Sequence, residues 1–242
     1  MVSPHYYWWN MAYGIFGLQI LSYLSVIPML MYASWHHYII AYFLYFLFGG
    51  LGMIVGYHRL HSHRSFYVPL WFEKLITIFA TMSLTGPAID WVAIHRAHHK
   101  WHDTPKDPHS PEHKGRLKVH FLTMFAKVSP KFAMDLIRTP FYMWQRKYYF
   151  YIIATYAATL YLIDPLAVVY AWLFPAFLTV FLGTLILSTS HREGKAHDDF
   201  ILGILTWGDA FHHTHHEKPM KNRLHKYDIS GWIIETFFKV KA

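Results

Sequence analysis

The sequence predicts an all-α integral membrane protein: four transmembrane helices paired as two hairpins, with a cytoplasmic helical cap dense in histidine. Three observations lead there. Long uncharged stretches recur at spanning length, the basic residues are segregated from them, and the histidines cluster beside their ends. With 54% hydrophobic and only 15% charged residues, the chain is too apolar for an ordinary soluble domain. It has no cysteine, which removes disulfides, thiolate metal sites and cysteine nucleophiles together.

Residues 11–33 and 38–57 carry no charge, and residues 165–187 form a third uncharged run of spanning length. Residues 148–163 are apolar but short. They span if their tyrosines sit at the interfaces or the bilayer thins locally. SWHH at 34–37 and the Asp164-Pro165 break leave room for tight connections alone, hence two hairpins. All 22 Lys and Arg fall in 58–147 or 192–241. Two hairpins that cross and return place both basic regions, and both chain ends, on the cytoplasmic side. The first stretch lacks the basic start and small-residue cleavage site of a removable signal peptide. A further apolar run, residues 70–86, contains Glu73 and Lys74 and reads as an interfacial or protein-packed helix. Without a repeat or low-complexity linker, residues 1–242 read as a single domain.

Twenty histidines remain to be explained. HRLHSH (58–63), HRAHH (95–99) and HHTHH (212–216) all fall on the predicted cytoplasmic side. Histidines at i, i+3 and i+4 of a helix share a face, so one segment can supply several metal ligands. His61 and His102 lie within this pattern as candidates to orient ligand imidazoles, whereas His36 and His37 fall on the opposite membrane face. Imidazole-rich sites suit iron, copper, nickel or zinc, and ligand type alone does not choose among them.

The order HRLHSHRSF (58–66), DWVAIHRAHHKWHDTPKDPHSP (90–111), QRKYY (145–149) and WGDAFHHTHH (207–216) resembles the membrane fatty acyl desaturases of the stearoyl-CoA (delta-9) type, a histidine-box di-iron family. The resemblance covers about residues 35 to 235. It implies a dinuclear iron site held by His58, His63, His95, His98, His99, His191, His212, His215 and His216. His191 matches through LSTSH (187–191), where Leu187 replaces the asparagine that reaches a metal through water in the family. Asp209 replaces a usual glutamate, His61 a usual apolar or aromatic residue, and His213 a usual asparagine. The stretch EHKGRLKVHFLTMF (112–125) lacks the aromatic-rich pattern familiar at that position.

The implied reaction is oxygen-dependent desaturation of a saturated acyl chain, with two iron ions as cofactor and dioxygen as co-substrate. Asp103, Asp107 and Asp209 are candidates to orient imidazoles, and Tyr45, Gly49, Gly52 and Trp91 to line an acyl tunnel. The acyl group arrives on CoA, acyl carrier protein or a lipid. A separate electron donor, ferredoxin or cytochrome b5, is expected at the basic face. The membrane is a bacterial inner membrane or that of the endoplasmic reticulum. A hydroxylase or acetylenase on the same iron core is the alternative. A metal transporter would need ionisable residues within the spans, which carry none. Nucleic-acid binding is not expected, because membrane topology accounts for the basic residues.

Overall fold

The computed structural model describes residues 4–241 and is 71% helical. Helix α1 (Pro4–Leu24) continues almost without a break into α2 (Val26–Tyr32). Ala33 and Ser34 then turn extended, and the Ser34 backbone N–H donates to His37 Nδ1 at 2.9 Å, starting α3 (Trp35–Tyr45). His37 thus serves as a helix cap.

Helix α3 passes directly into a wider-wound helix over Phe46–Ser62, of the type that bonds residue i to i+5. Its sequence FGGLGMIVG supplies the small residues that close packing requires. A Cβ at Gly52 would lie 2.5 Å from the Ala80 backbone nitrogen, so α4 (Leu70–Met82) can rest directly on this helix. The i+5 winding also fixes which histidines align. His63 N donates to His58 O at 3.2 Å, so residues five apart stack on one face. In an ordinary α-helix His58 would have been grouped with His61 instead.

Among the described residues, three stretches are long and apolar enough to cross a membrane: Asn10–Tyr32, Trp35–Ser62 and Val169–Thr189. The apolar helix α10 (Tyr149–Ile163) is shorter. Helix α4 is not among them. It buries Ile76, Thr77, Ala80, Thr81 and Met82, and Glu73 accepts a hydrogen bond from Tyr142. The reading of residues 70–86 as protein-packed thus describes its inner face, with Leu70 and Trp71 left exposed. The expectation for the extreme chain ends falls partly on residues 1–3 and 242, outside the described residues.

Beyond α4 come α5 (Ala88–Trp101), α6 (Pro111–Lys114), α7 (Arg116–Phe121), α8 (Met134–Ile137) and α9 (Pro140–Lys147), then α10. Helix α11 (Phe174–Thr189) ends the third long stretch. After it come α12 (Phe200–Leu205), α13 (His212–Glu217) and α14 (Ile229–Phe237). Two small antiparallel ladders tie the ends: Phe66–Tyr67 with Lys239–Val240, and His191–Arg192 with Lys195–Ala196.

Buried polar clamps lock the wide helix to its neighbours. The Arg59 side chain, 2% exposed, donates to Asp228 Oδ2 at 2.9 Å and also to the Asn222 carbonyl. Asp228 in turn caps α14 through Gly231 N. Arg96 on α5 donates to the carbonyls of Ser62, His61 and Phe132 and to Asp135. Gln145 joins Tyr57, Thr81 and the Ala88 backbone, and Arg146 binds Asp90. These bonds hold the ends of the wide helix and α5 in fixed register, and both elements carry histidines.

Candidate metal centre

Among the described residues, nine histidines converge in two groups. The first holds His58, His63, His95, His99 and His215; the second holds His98, His191, His212 and His216. Within each group the candidate ligand atoms lie within 4.8 Å of one another. The groups sit just past the ends of the second and third long apolar stretches, where Trp35–Ser62 ends near His63 and Val169–Thr189 ends near His191.

The helices α5 and α13 share the spacing i, i+3, i+4 and use it in opposite senses. On α5 the i, i+4 pair His95 and His99 enters the first group, and His98 crosses to the second. On α13 the pair His212 and His216 enters the second group, and His215 crosses to the first. The rings of His99 and His216 stack at 4.4 Å, so the groups are direct neighbours. The wide helix adds His58 and His63 to the first group, while His191, in the ladder after α11, joins the second.

The nitrogens are spaced for ions. Nε2 atoms stand 2.8 Å apart for His58 and His215, 2.9 Å for His215 and His99, and 2.9 Å for His63 and His95. Two imidazole nitrogens bound at right angles to one ion at about 2.0–2.1 Å stand about 2.9 Å apart. In the second group the Nε2 atoms run His191–His212–His216–His98 at 2.9, 3.1 and 3.2 Å. His191 Nδ1 donates to Asp103 Oδ1 at 2.9 Å and His98 Nδ1 to Asp107 Oδ1 at 2.9 Å. A neutral ring protonated at Nδ1 has a bare lone pair at Nε2. Both ends of the row are then bare, and two ring protons cannot fill three gaps. Lone pairs must face each other somewhere, and a cation among them converts that repulsion into bonds.

Burial favours the neutral form of eight of these rings. Burial, reinforced by neighbouring imidazoles, pushes His95, His98, His212 and His215 well below the ordinary histidine value. His63, His99 and His216 shift the same way for the same reasons. His191 is lowered by burial against the opposing pull of Asp103. Neutral imidazoles bind a cation without first losing a proton. Burial raises Asp107 to about 6, against the backbone N–H groups of His109 and Asp103 that hold its charged form.

The acids expected to orient imidazoles all stand beside them. Asp103 and Asp107 bond His191 and His98, and Asp209 Oδ1 lies 2.7 Å from His58 Nδ1. The turn that delivers Asp209 needs Gly208 at φ 107°, where a Cβ would lie 2.0 Å from the Asp228 carboxylate. His102 caps α5 through the His99 carbonyl and lies exposed, its ring 5.0 Å from His216. His61 is the exception and corrects the expectation. The i+5 winding turns it away from both groups, to Thr77 at 2.9 Å and against Tyr142.

A narrow, mostly apolar cavity opens from the two groups toward the long apolar stretches. His58, His95 and His212 line its head, with Trp91, Leu187 and His109 beside them. Deeper, Met53 and Val180 form its walls, with Gln19 among the lining residues. Of the four expected tunnel residues, Trp91 alone lines this cavity, its ring stacked 4.9 Å from His95. Tyr45 instead donates to the Leu205 carbonyl, Gly49 packs beneath Tyr45 and Thr179, and Gly52 meets α4. Helical spacing alone does not separate a packing residue from a lining one, and these three pack.

His109 escaped assignment from the sequence. It is 7% exposed, lines the cavity, and its ring lies 5.8 Å from that of His98. Burial lowers it to about 4. The signal available was its place in DPHSP, close after the second histidine cluster.

Residues 33–229 match the family model described as fatty acid desaturase. The chain is 33% identical to the sn-2 palmitoyl-lipid 9-desaturase of Nostoc sp. (strain 36), over 96% of this chain and 87% of that protein. It is 32% identical to the sn-1 stearoyl-lipid 9-desaturase of Anabaena variabilis, over 96% and 88%. To delta-9 acyl-lipid desaturase 2 of Arabidopsis thaliana it is 33% identical, over 82% and 70%.

Proposed function

The chain belongs to the fatty acid desaturase family, and from that premise we propose that it inserts a cis delta-9 double bond into an acyl chain esterified to a membrane lipid. As a member of the family it is a membrane oxidoreductase that desaturates saturated acyl chains. The observation that carries the finer reading is geometric: two convergent imidazole groups face the head of one apolar cavity.

In this reading each group holds one iron ion, by His58, His63, His95, His99 and His215 and by His98, His191, His212 and His216. Bound iron would activate dioxygen, supplying the oxidising power that unactivated C–H bonds demand. The chain's own residues do the rest. Asp103 and Asp107 fix the Nδ1 tautomers of His191 and His98, so that Nε2 faces inward. Trp91, Met53 and Val180 give a saturated chain an apolar path and exclude bulk water. Removing two hydrogens while dioxygen becomes two waters consumes two further electrons and two protons. A separate donor such as ferredoxin or cytochrome b5 supplies the electrons at the basic face.

The relatives support the lipid-linked substrate, since all three described above are named for acyl groups of lipids. Four spans in two hairpins, one domain, and both ends and the site on the cytoplasmic side complete the reading. The basic segments and the site share one end of the long apolar stretches.

Lipid analysis of a host expressing the chain tests the reaction. New delta-9 monoenes within intact lipids are expected. Hydroxy or acetylenic acids would overturn the desaturase reading, and monoenes confined to a thioester pool would overturn the lipid substrate. Metal analysis of the purified protein should find about two irons per chain.

A further inference from the structure

We propose that His109 is a positioning residue that holds a water, or another small oxygen ligand, at the four-imidazole group. The inference rests on reading that group as an iron site.

The argument starts from the exchange between α5 and α13. Each helix gives an i, i+4 pair to one group and its i+3 histidine to the other, so the two groups begin with three imidazoles apiece. The wide helix then adds two to the first group, and His191 alone joins the second. Two like ions held there would differ by one protein donor. The second would have room for a small ligand, and such a ligand would need a hydrogen-bonding neighbour in a buried site.

Among the groups lining the cavity beside the second group, Leu187 offers no polar atom. His109 does. It lines the same cavity, is 7% exposed, and its Nδ1 has no hydrogen-bond partner among the described residues. Its ring approaches that of His98, yet it is not part of the convergent set. That places it beside the group as a neighbour. Its backbone N–H donates to Asp107 Oδ1 at 2.8 Å, and Asp107 also takes the proton of His98 Nδ1. One carboxylate therefore sets both the ligand ring and the His109 backbone. The contrast with His120 is direct: that buried imidazole lies 3.4 Å from Ser188 Oγ, belongs to neither group and does not line the cavity.

The test compares His109→Ala and His109→Gln in the purified iron-loaded protein, with azide as the small-ligand probe. Both variants should keep the wild-type iron content. Azide binding to the oxidised protein, read by its charge-transfer absorption, should weaken about tenfold in the alanine variant, as expected for one lost hydrogen bond to a charged ligand. The monoene formed per dioxygen consumed should fall with it. Glutamine, which can still donate, should restore both to within about threefold. Should alanine fail to fold, His109→Leu against His109→Gln gives the same comparison. Unchanged azide affinity and coupling with iron retained would overturn the inference and leave the desaturase reading standing. Loss of one iron would overturn it too, by making His109 a ligand. An iron-free wild-type protein would instead sink the metal reading beneath it.

Discussion

The two imidazole groups share a helix pair yet are built to different rules. The first is richer in donors: five imidazoles, with Asp209 beside His58 as its carboxylate contact. The second has four, two of them fixed through Nδ1 by buried carboxylates, Asp103 and Asp107. One gains its hold from the number of ligands, the other from their orientation. Both groups reach the cavity wall, the first through His58 and His95 and the second through His212, and it is the second that has His109 beside it. In the proposed reading that difference would leave the second ion with one protein donor fewer than the first.

The comparison can be broken at its base by removing one imidazole from each group. His98→Ala and His215→Ala should each lower monoene formation at least about 100-fold, with loss of about one iron per chain in metal analysis. Full iron and activity in either variant would remove that group from the site. The carboxylates sharpen it next. Asp107→Asn should weaken iron binding by about 10–100-fold, read by competition with a chelator, because the His98 tautomer is no longer fixed. Asp209→Asn should cost less, since His58 is one of five donors. An equal or larger loss at Asp209 would contradict the asymmetry.

Removing the ions altogether should lower the thermal midpoint by about 5–10 °C, because an ion that binds the folded chain alone stabilises it by mass action. A midpoint unmoved by chelation would mean that the imidazoles need no ion to coexist. The smallest effect belongs to His61. His61→Gln, which can still reach Thr77, should keep its iron and retain activity within about threefold. Loss of iron there would place His61 in the site after all.

Much of the site was legible because its spacing repeats. HRAHH and HHTHH each read as one helical face, and both faces do meet. What spacing could not say is that each face divides, since i, i+3 and i+4 residues diverge enough to reach two points once a second helix lies opposite. The first cluster needed more than spacing. The resemblance implied His58 and His63 as its ligands, and the i+5 winding after FGGLG is what aligns those two and turns His61 away. Tyr45, Gly49 and Gly52 show the same limit, because a face that packs and a face that lines a cavity have the same period. His109 stayed hidden because a lone histidine in a loop has no period at all.

By itself the sequence determined the long apolar stretches, the segregation of the basic residues from them and the kind of chemistry that three histidine clusters invite. Those properties depend on composition and local spacing, and lipid and metal respond to them directly. The tertiary structure alone decided the partition into five and four, the carboxylates behind His58, His98 and His191, and the residues that line the cavity. Each of these depends on the meeting of segments distant in the chain, such as His58 with His215 or His191 with Asp103. Such meetings are set by helix winding, close approach at Gly52 and buried clamps such as Arg59 with Asp228.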